Sequence, residues 1–341
     1  MAHNRLQGFL FRLVRRENLS REESCELLES LLDDEATDAQ IAGTLIALNA
    51  KGETVDELAG LASGLRSRAV RLSCRHETFI DTAGTGSSPT KTFNISTAAA
   101  FVIAAAGLPV AKHGNRAASS KSGSADVLGE LGVNVSALPE LSEGALNEIG
   151  ICFMFAPLYH GATARVAGIR RQLGVQTTFN LLGPLSNPAG APRQIIGVWN
   201  KELTERLANV LAQLGTKRAW VVHGEDGLDE ITLSGKTFVA EANGGSVKTF
   251  EIDPTSFGLH KSSLDHLRGG DAETNARILR EVFDGQRRDE ARSLVVMNAA
   301  AALVIGGIAA DLKTAATLAA DAIDSGAALN KLELLKSATA S

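Results

Sequence analysis

The chain changes its pattern near residue 72, and this change constrains the fold more than any other feature of the sequence. Before that point no strand pattern occurs, and runs of Leu, Ile and Ala recur at helical spacing. Three capping boxes precede these runs: Ser20 with Glu23, Thr37 with Gln40, and Thr54 with Glu57. We therefore expect residues 1–71 to form an all-helical N-terminal domain. So short a bundle favours a homodimer that buries its remaining apolar face.

From residue 72 to residue 341, short apolar runs alternate with Ala-rich helical stretches. This alternation predicts an α/β domain with a mostly parallel central sheet covered by helices. The predicted parallel strands are residues 79–81, 109–111, 151–155, 194–199 and 219–223. Two extended stretches around Asn243-Gly244-Gly245 predict an antiparallel hairpin within residues 231–252. The Gly- and Pro-rich segment 168–192 is expected to cross between the domains, and part of it to join the helical one.

Composition limits the classes of function. The 341 residues are 44% hydrophobic and 21% charged, as in an ordinary globular protein. The 34 Lys and Arg against 39 Asp and Glu give a net charge of −5, which disfavours a nucleic-acid partner. Cys25, Cys74 and Cys152 lie far apart without CxxC spacing, which favours a reducing cytosol over a disulfide framework. Since neither a secretory leader nor a membrane span is visible, we expect a cytoplasmic protein without a membrane partner.

The first loop whose residues suit ligand binding is the Gly-rich turn at residues 81–88. It follows a strand, and Thr92, Asn94, Ser96 and Thr97 lead from it into an Ala-rich helix. Backbone N–H groups of such a turn and of a helix N-terminus bind phosphate. An ordinary βα turn with a Ser/Thr cap shows the same pattern, so the glycines alone leave both interpretations open.

The second loop, residues 112–126, also follows a strand and leads into a helix expected at residues 127–131. Lys112, Arg116 and Lys121 concentrate positive charge there, and four serines add hydroxyl donors. Two anion-binding loops in succession fit a ligand with two separate phosphate groups. The alternative is a solvated loop.

The third loop, residues 223–230, carries four carboxylates within six residues. The adjacent Asp229 and Glu230 are suited to Mg²⁺, which is bound by one or two carboxylates while water and substrate phosphate complete its shell. A solvated acidic loop is the alternative. Arg170 and Arg171, on a helix expected to begin near Gly161, are candidates for binding a carboxylate, although most such arginines face solvent.

Together these segments make the sequence resemble the anthranilate phosphoribosyltransferase family. They occur in the same order as in the family, and the resemblance covers essentially the whole chain. The matching segments are G-T-G and T-F-N-I-S-T (84–97), V-A-K-H-G-N-R and S-G-S-A-D-V-L (110–128), F-A-P (155–157), R-R-Q-L-G (170–174), F-N-L-L-G-P-L-S-N-P (179–188) and V-H-G-E-D-G-L-D-E (222–230).

The resemblance implies a fold shared with pyrimidine nucleoside phosphorylases, a homodimer through the helical part, and a step of tryptophan biosynthesis. The implied reaction joins anthranilate to 5-phosphoribosyl 1-diphosphate (PRPP) with Mg²⁺ and releases pyrophosphate. The implied PRPP-binding residues are Gly84, Ser87, Ser88, Thr92, Asn94, Ile95, Ser96, Thr97, Lys112, His113, Gly114, Asn115, Arg116, Ala117, Ala118, Ser119, Ser120 and Ser124. The implied anthranilate-binding residues are Gly84, Asn115 and Arg170, and the implied metal ligands are Ser96, Asp229 and Glu230. No catalytic nucleophile is expected, since positioning and electrostatics suffice.

The chain departs from the family pattern at two places. Ser87-Ser88 stand where the family has Gly-Asp, which bears on PRPP and Mg²⁺ binding. Gly161 and Gly168 stand where the family commonly has Pro, which predicts a more flexible acceptor pocket. A nucleoside phosphorylase of the same fold is the nearest alternative function, but it would not require the Asp229–Glu230 pair. A non-catalytic nucleic-acid-binding relative is the second, and the net charge disfavours it.

Overall fold

The structure, a computed structural model, describes residues 5–86, 88, 90, 92–117, 121–265 and 267–340. The helices are α1 (Arg5–Val14), α2 (Arg21–Leu31), α3 (Asp38–Lys51), α4 (Val55–Arg68), α5 (Ile95–Ala105), α6 (Ser124–Glu130), α7 (Pro139–Ile149), α8 (Ala156–Tyr159), α9 (Ala164–Leu173), α10 (Phe179–Leu185), α11 (Glu202–Gln213), α12 (Ala272–Phe283), α13 (Glu290–Gly306), α14 (Leu312–Asp324) and α15 (Ala327–Ala338). The strands are β1 (Ile80–Asp81), β2 (Val110–Gly114), β3 (Ile151–Phe155), β4 (Arg193–Gly197), β5 (Arg218–Gly224), β6 (Thr237–Asn243) and β7 (Ser246–Ile252). Single 3₁₀ turns cover Gly161–Thr163 and Pro254–Phe257.

Helices α1–α4 form the predicted N-terminal bundle. The capping boxes are confirmed: the Ser20 hydroxyl accepts the Glu23 N–H, and the Glu23 carboxylate accepts the Ser20 N–H. The same reciprocal bonds begin α3 and α4. Helices α2 and α4 approach closely because Gly60 has no side chain; a Cβ there would lie 2.2 Å from the Arg21 carbonyl oxygen. Local hydrogen bonds thus fix where these helices begin, and small residues fix how near they pack.

The α/β domain contains the predicted sheet, with strand order β3-β2-β1-β4-β5-β6-β7. Strands β1 to β5 pair in parallel, and β6 and β7 add the predicted antiparallel hairpin. Gly244 and Gly245 have positive φ angles of 56° and 86°, which the tight turn of this hairpin requires. Strand β1 has only two residues, and Ile80 pairs with Val110 on one side and Arg193 on the other. The chain therefore connects to both sides of β1, as it does at the switch point of a doubly wound sheet.

Helix α13 forms the centre of the larger core. All its residues from Leu294 to Gly306 are buried, and it packs against α5 and α14. At Gly306 a Cβ would lie 2.3 Å from a methyl carbon of Leu108, so this glycine allows the helix to approach the sheet layer. Across the described ranges, no helix has both the length and the apolarity that crossing a membrane requires.

Helices α9, α10 and α11 connect the two parts of the molecule. Helix α9 packs on α3, while α10 and α11 pack on α4. Their apolar side chains share a core with the bundle leucines and with one face of β4 to β6. Two helices begin at other residues than predicted. The helix expected near Gly161 begins at Ala164 after a 3₁₀ turn, and the helix expected at 127–131 is Ser124–Glu130. In both cases a glycine-containing turn before the helix obscured its first residue.

Candidate active site

The carboxyl ends of β1, β4 and β5 meet at the switch point of the sheet. Ligand crevices of α/β sheets open at this kind of position because the connections leave in opposite directions. The structure has a small cavity there. It is lined by Thr82, Gly84, Ser96, Ala99, Ile195, Gly197, Glu230 and Asn298. The first and third loops singled out in the sequence therefore come together, although about 140 residues separate them.

The contact between these loops depends on Gly197, the last residue of β4. A Cβ at this position would lie 1.6 Å from the carbonyl oxygen of Asp229, a distance that no side chain tolerates. Its own carbonyl oxygen accepts the Thr85 N–H at 2.9 Å and the Thr85 hydroxyl at 3.0 Å. The Gly-rich loop and the acidic loop are thus packed backbone against backbone across β4. No pattern in the sequence indicated this role for Gly197.

Two of the three expected metal ligands, Ser96 and Glu230, line the cavity, and the third, Asp229, is the neighbour of Glu230 in the chain. The Ser96 N–H, in the first turn of α5, donates to Glu230 Oε1 at 3.2 Å. Burial and then repulsion from Asp229 raise the pKa of Glu230, while Lys112 and Ser96 oppose the rise. A half-buried pair of neighbouring carboxylates with a hydroxyl beside it is a donor set that Mg²⁺ prefers, and a cation there would relieve their repulsion. The residues fit the metal.

Lys112 does not extend into solvent as expected of a residue in a basic loop. Its side chain is buried, and Nζ donates to the Thr82 carbonyl oxygen at 2.9 Å, to Thr82 Oγ1 at 3.1 Å and to Ser96 Oγ at 3.4 Å. Burial lowers the pKa of Lys112, and the charges of Asp81 and Glu230 partly restore it. Lys112 therefore ties β1, β2 and α5 together beneath the cavity.

Asp126, near the start of α6, binds described residues on both sides of the second loop. The Asp126 carboxylate accepts the N–H groups of Ala117 and Gly123, both at 2.9 Å, and pairs with Arg116 Nη1 at 3.0 Å. Next to it, Asn115 Oδ1 accepts the Arg116 N–H at 2.8 Å. One carboxylate thus joins Arg116 and Ala117 to Gly123, and no pattern in the sequence indicated this role for Asp126.

His113 is a neutral group in this site. Burial, followed by repulsion from His160, lowers the pKa of His113 to about 3. Its Nδ1 lies 3.2 Å from the Gly183 carbonyl oxygen, which can only accept, so the ring carries its proton on Nδ1. The His160 ring lies 5.1 Å away between centroids. His113 therefore brings no positive charge to a phosphate.

The departure from the family pattern at Ser88 has a visible consequence. The Ser88 hydroxyl donates to the Gly227 carbonyl oxygen at 2.7 Å, and Thr90 Oγ1 donates to the Asp226 carbonyl oxygen at 2.9 Å. Ser88 is almost fully buried. This serine fastens the Gly-rich loop to the acidic loop. Ser87, and likewise Ala118, Ser119 and Ser120, lie outside the described residues.

Arg170 lies on α9 and is held by α10. Its Nη2 donates to Asn180 Oδ1 at 3.0 Å, and its guanidinium carbon lies 5.6 Å from the centroid of the Phe179 ring. Burial lowers the pKa of Arg170, and its Nε is buried without a hydrogen-bond partner among the described residues. Since α10 also supplies the Gly183 carbonyl that holds His113, this helix positions one residue of α9 and one of β2.

Comparison with known proteins identifies the family. Residues 7–69 match the helical bundle domain of a glycosyl transferase family, and residues 76–329 match the a/b domain of a glycosyl transferase family. The chain is 48% identical to the anthranilate phosphoribosyltransferase of Moorella thermoacetica over 97% of each chain. It is 51% identical to that of Anaeromyxobacter dehalogenans over 98% of each chain. The chain belongs to the anthranilate phosphoribosyltransferase family.

Solved structures of anthranilate phosphoribosyltransferases share the whole fold. The crystal structure from Thermus thermophilus is 38% identical with a TM-score of 0.92, over 98% of this chain and 99% of that chain. The Saccharomyces cerevisiae protein, described in complex with PRPP and Mg, is 27% identical with a TM-score of 0.90 over 99% of each chain. The predicted fold class and family are confirmed.

Proposed function

We propose that this protein transfers the 5-phosphoribosyl group of PRPP to the amine of anthranilate, giving N-(5-phosphoribosyl)anthranilate and pyrophosphate. The observation that carries the proposal is the meeting of the N-terminus of α5 with the Asp229–Glu230 pair at the switch point of the sheet. A helix N-terminus attracts phosphate, and the carboxylates attract the cation that accompanies a diphosphate. The relatives that bear this name over nearly the full length support it.

We assign PRPP to the first and second loops. The described residues of this proposed site are Gly84, Ser88, Thr92, Asn94, Ile95, Ser96, Thr97, Lys112, His113, Gly114, Asn115, Arg116, Ala117 and Ser124. We assign Mg²⁺ to Ser96, Asp229 and Glu230, and this rests on their chemistry together with the yeast relative described with PRPP and Mg. Mg²⁺, when bound, adds positive charge beside the departing diphosphate.

We assign anthranilate to Gly84, Asn115 and Arg170. The unpartnered, buried Nε of Arg170 supports this assignment, because a carboxylate can accept it together with a second guanidinium N–H. Asn180 and the Phe179 ring hold the guanidinium in one orientation. Gly168 lies on α9 two residues before Arg170, and a glycine there keeps the prediction of a more flexible acceptor pocket.

The proposed reaction needs positioning more than proton transfer. The amine nitrogen bonds to the anomeric carbon while the bond from that carbon to the diphosphate oxygen breaks, and the amine then loses one proton. The lone pair of an aromatic amine is free at neutral pH, so no strong base is required. The positive end of the α5 helix dipole stabilises charge that develops on the departing diphosphate, a preorganised electrostatic effect. The remaining site residues hold the two reactants in line.

The test is the fluorescence of anthranilate in the presence of PRPP and MgCl₂. The proposal expects a loss of anthranilate that requires both additions. A parallel sample receives thymidine and phosphate, because a nucleoside phosphorylase of this fold would release thymine. If the folded protein leaves anthranilate unchanged, the proposal is wrong, and release of thymine would establish the alternative.

We also propose a homodimer through the helical bundle, in a reducing cytoplasm. Phe11 and Val14 on α1 are 58% and 68% exposed, and Ile46 on the neighbouring α3 is 38% exposed, which supports an apolar contact surface. All three cysteines are free, as a reducing compartment favours. Light scattering of Val14→Glu against the unmodified protein tests the dimer; equal masses for both would contradict this surface.

A further inference from the structure

Asn94 is the residue before the first turn of α5, yet it does not cap the helix. An asparagine at this position usually accepts one of the first free N–H groups of the helix through its side-chain oxygen. Here the Asn94 side chain makes no such bond. The Ser96 N–H instead reaches Glu230. Something must therefore hold the Asn94 side chain away from the helix end that the proposed function assigns to phosphate.

Asn275, in the first turn of α12, holds it. The Gly270 N–H donates to Asn275 Oδ1 at 2.8 Å, and Asn275 Nδ2 donates to Asn94 Oδ1 at 3.0 Å. A backbone N–H can only donate, so the first bond fixes which end of the Asn275 amide is oxygen. The NH₂ group of Asn275 then faces Asn94, so the Asn94 side chain must accept this hydrogen bond with its oxygen. The orientation of Asn94 is thus determined from Gly270 through Asn275.

The segment that carries Asn275 is firmly docked on the phosphate loop. Thr92 and Arg268 form an antiparallel bridge. A Cβ at Gly269 would lie 2.2 Å from the Thr92 carbonyl oxygen and 2.9 Å from the Phe93 nitrogen. Asn275 itself is 2% exposed. The docking leaves the Asn275 amide little freedom, so the orientation that it imposes on Asn94 is preorganised before any ligand binds.

We propose that Asn275 is a positioning residue of the phosphate site. It occupies Asn94 Oδ1, which prevents Asn94 from capping α5, and so leaves the Asn94 NH₂ group available to a phosphate of the substrate, while the N–H groups of Ile95 and Ser96 already donate to Phe93 and Glu230. This inference rests on the proposed function, in which that phosphate belongs to PRPP. Asn275 touches no reactant and acts only through Asn94.

The test compares Asn275→Ala, Asn275→Asp and Asn94→Ala in steady-state kinetics. Asn275→Ala should raise KM for PRPP about tenfold, the effect of losing one hydrogen bond to a charged ligand, while KM for anthranilate changes less than about twofold. Asn275→Asp keeps the shape of the side chain and the bond from Gly270 but cannot donate to Asn94. It should raise KM for PRPP at least as much as alanine. If Asn275 only filled space or held Gly270, KM for PRPP would be nearly unchanged in the aspartate variant.

Double variants separate the orienting role from a direct effect of charge. In the Asn94→Ala background, both Asn275 substitutions should add less than about a twofold change, because the residue that they act through is gone. Thr339→Val is the control for a lost buried hydrogen bond, since Thr339 is 3% exposed and, among the described residues, its hydroxyl bonds only to Asn134 and to carbonyls of the last turn of α15. It should leave both KM values unchanged.

The outcomes distinguish the two claims. If the unmodified protein does not turn over PRPP and anthranilate, the proposed function is wrong whatever the variants do. If it does, but Asn275→Asp keeps the original KM for PRPP, or the Asn275 effects persist in full without Asn94, then the positioning role is wrong and the proposed function stands.

Discussion

Gly197→Ala should damage the site through a single methyl group. The added Cβ would lie 1.6 Å from the Asp229 carbonyl oxygen, whereas carbon and oxygen atoms of packed chains stay about 3.3 Å apart. The backbone of the acidic loop must therefore move by roughly 1.7 Å. We expect the free energy of unfolding to fall by about 3 kcal/mol, the upper end for overpacking, because backbone rather than a flexible side chain opposes the methyl. Displacing Asp229 and Glu230 by more than about 1 Å should lower turnover about 100-fold.

Gly84→Ala is the matched control for the loss of stability, because it adds the same methyl group on the other side of the contact around Gly197. Its Cβ would meet the Gly197 carbonyl oxygen at 3.5 Å, an ordinary packing distance. Its free energy of unfolding should stay within about 0.5 kcal/mol of the unmodified protein. Turnover should nevertheless fall, since the methyl enters the cavity assigned to substrate. Urea unfolding and turnover titrated with MgCl₂ measure both effects. A Gly197→Ala protein with unaltered stability and unaltered Mg²⁺ dependence would refute the reasoning.

Four further predictions follow from the site. Asp229→Ala with Glu230→Ala should abolish Mg²⁺-stimulated turnover without lowering the free energy of unfolding, as MgCl₂ titration and urea unfolding can check. Arg170→Ala should raise KM for anthranilate about tenfold with little change for PRPP, and equal losses for both would contradict its role. His113 takes up its proton in the unfolded chain near pH 6.5 but in the folded chain only at about pH 3. Because the unfolded chain then binds one more proton, His113 lowers the free energy of unfolding as pH falls below 6.5, by up to about 1.4 kcal/mol per pH unit. His113→Gln should flatten that slope, as urea unfolding between about pH 6.5 and pH 5 can check. Ser88→Asp puts a carboxylate against the Gly227 carbonyl oxygen to which the serine donates. The dependence of turnover on PRPP and Mg²⁺ concentration should therefore shift, while KM for anthranilate stays constant. Superimposable titrations of the two proteins would contradict this.

The parts of the fold that depend on neighbours in sequence could be predicted from the sequence. The Thr54–Glu57 capping box is an example, because its bonds join residues three positions apart. The parallel strands could also be located, since apolar runs between helical stretches have few other solutions. Their ends were less certain: the strand predicted at 194–199 is Arg193–Gly197. Strand ends depend on which neighbours offer hydrogen bonds, and the sequence pattern does not show the neighbours.

The parts of the site that depend on distant neighbours could not be predicted. Asn275 lies 181 residues from Asn94 along the chain, and a lone asparagine in a helical pattern gives no sign of its partner. Gly197 looks like any strand-end glycine until the order of β1, β4 and β5 puts Asp229 against it. The acidic loop could equally have been solvated, and only the fold shows that the start of α5 packs against Glu230. Chain topology decides each of these contacts.

The cations of the site also differ from what the sequence suggested, and the difference bears on how the substrates bind. Lys112 lies beneath the cavity, where its ammonium is hydrogen-bonded to Thr82 and Ser96. Arg116 is exposed and paired with Asp126, an ion pair that contributes little and can exchange its partner for a phosphate. In the proposed site, neutral N–H donors and the exchangeable Arg116 would not balance a diphosphate beside two carboxylates, so bound Mg²⁺ would supply the missing charge. In that case PRPP and Mg²⁺ would favour each other's binding by the same factor, because linkage between two bound ligands is reciprocal.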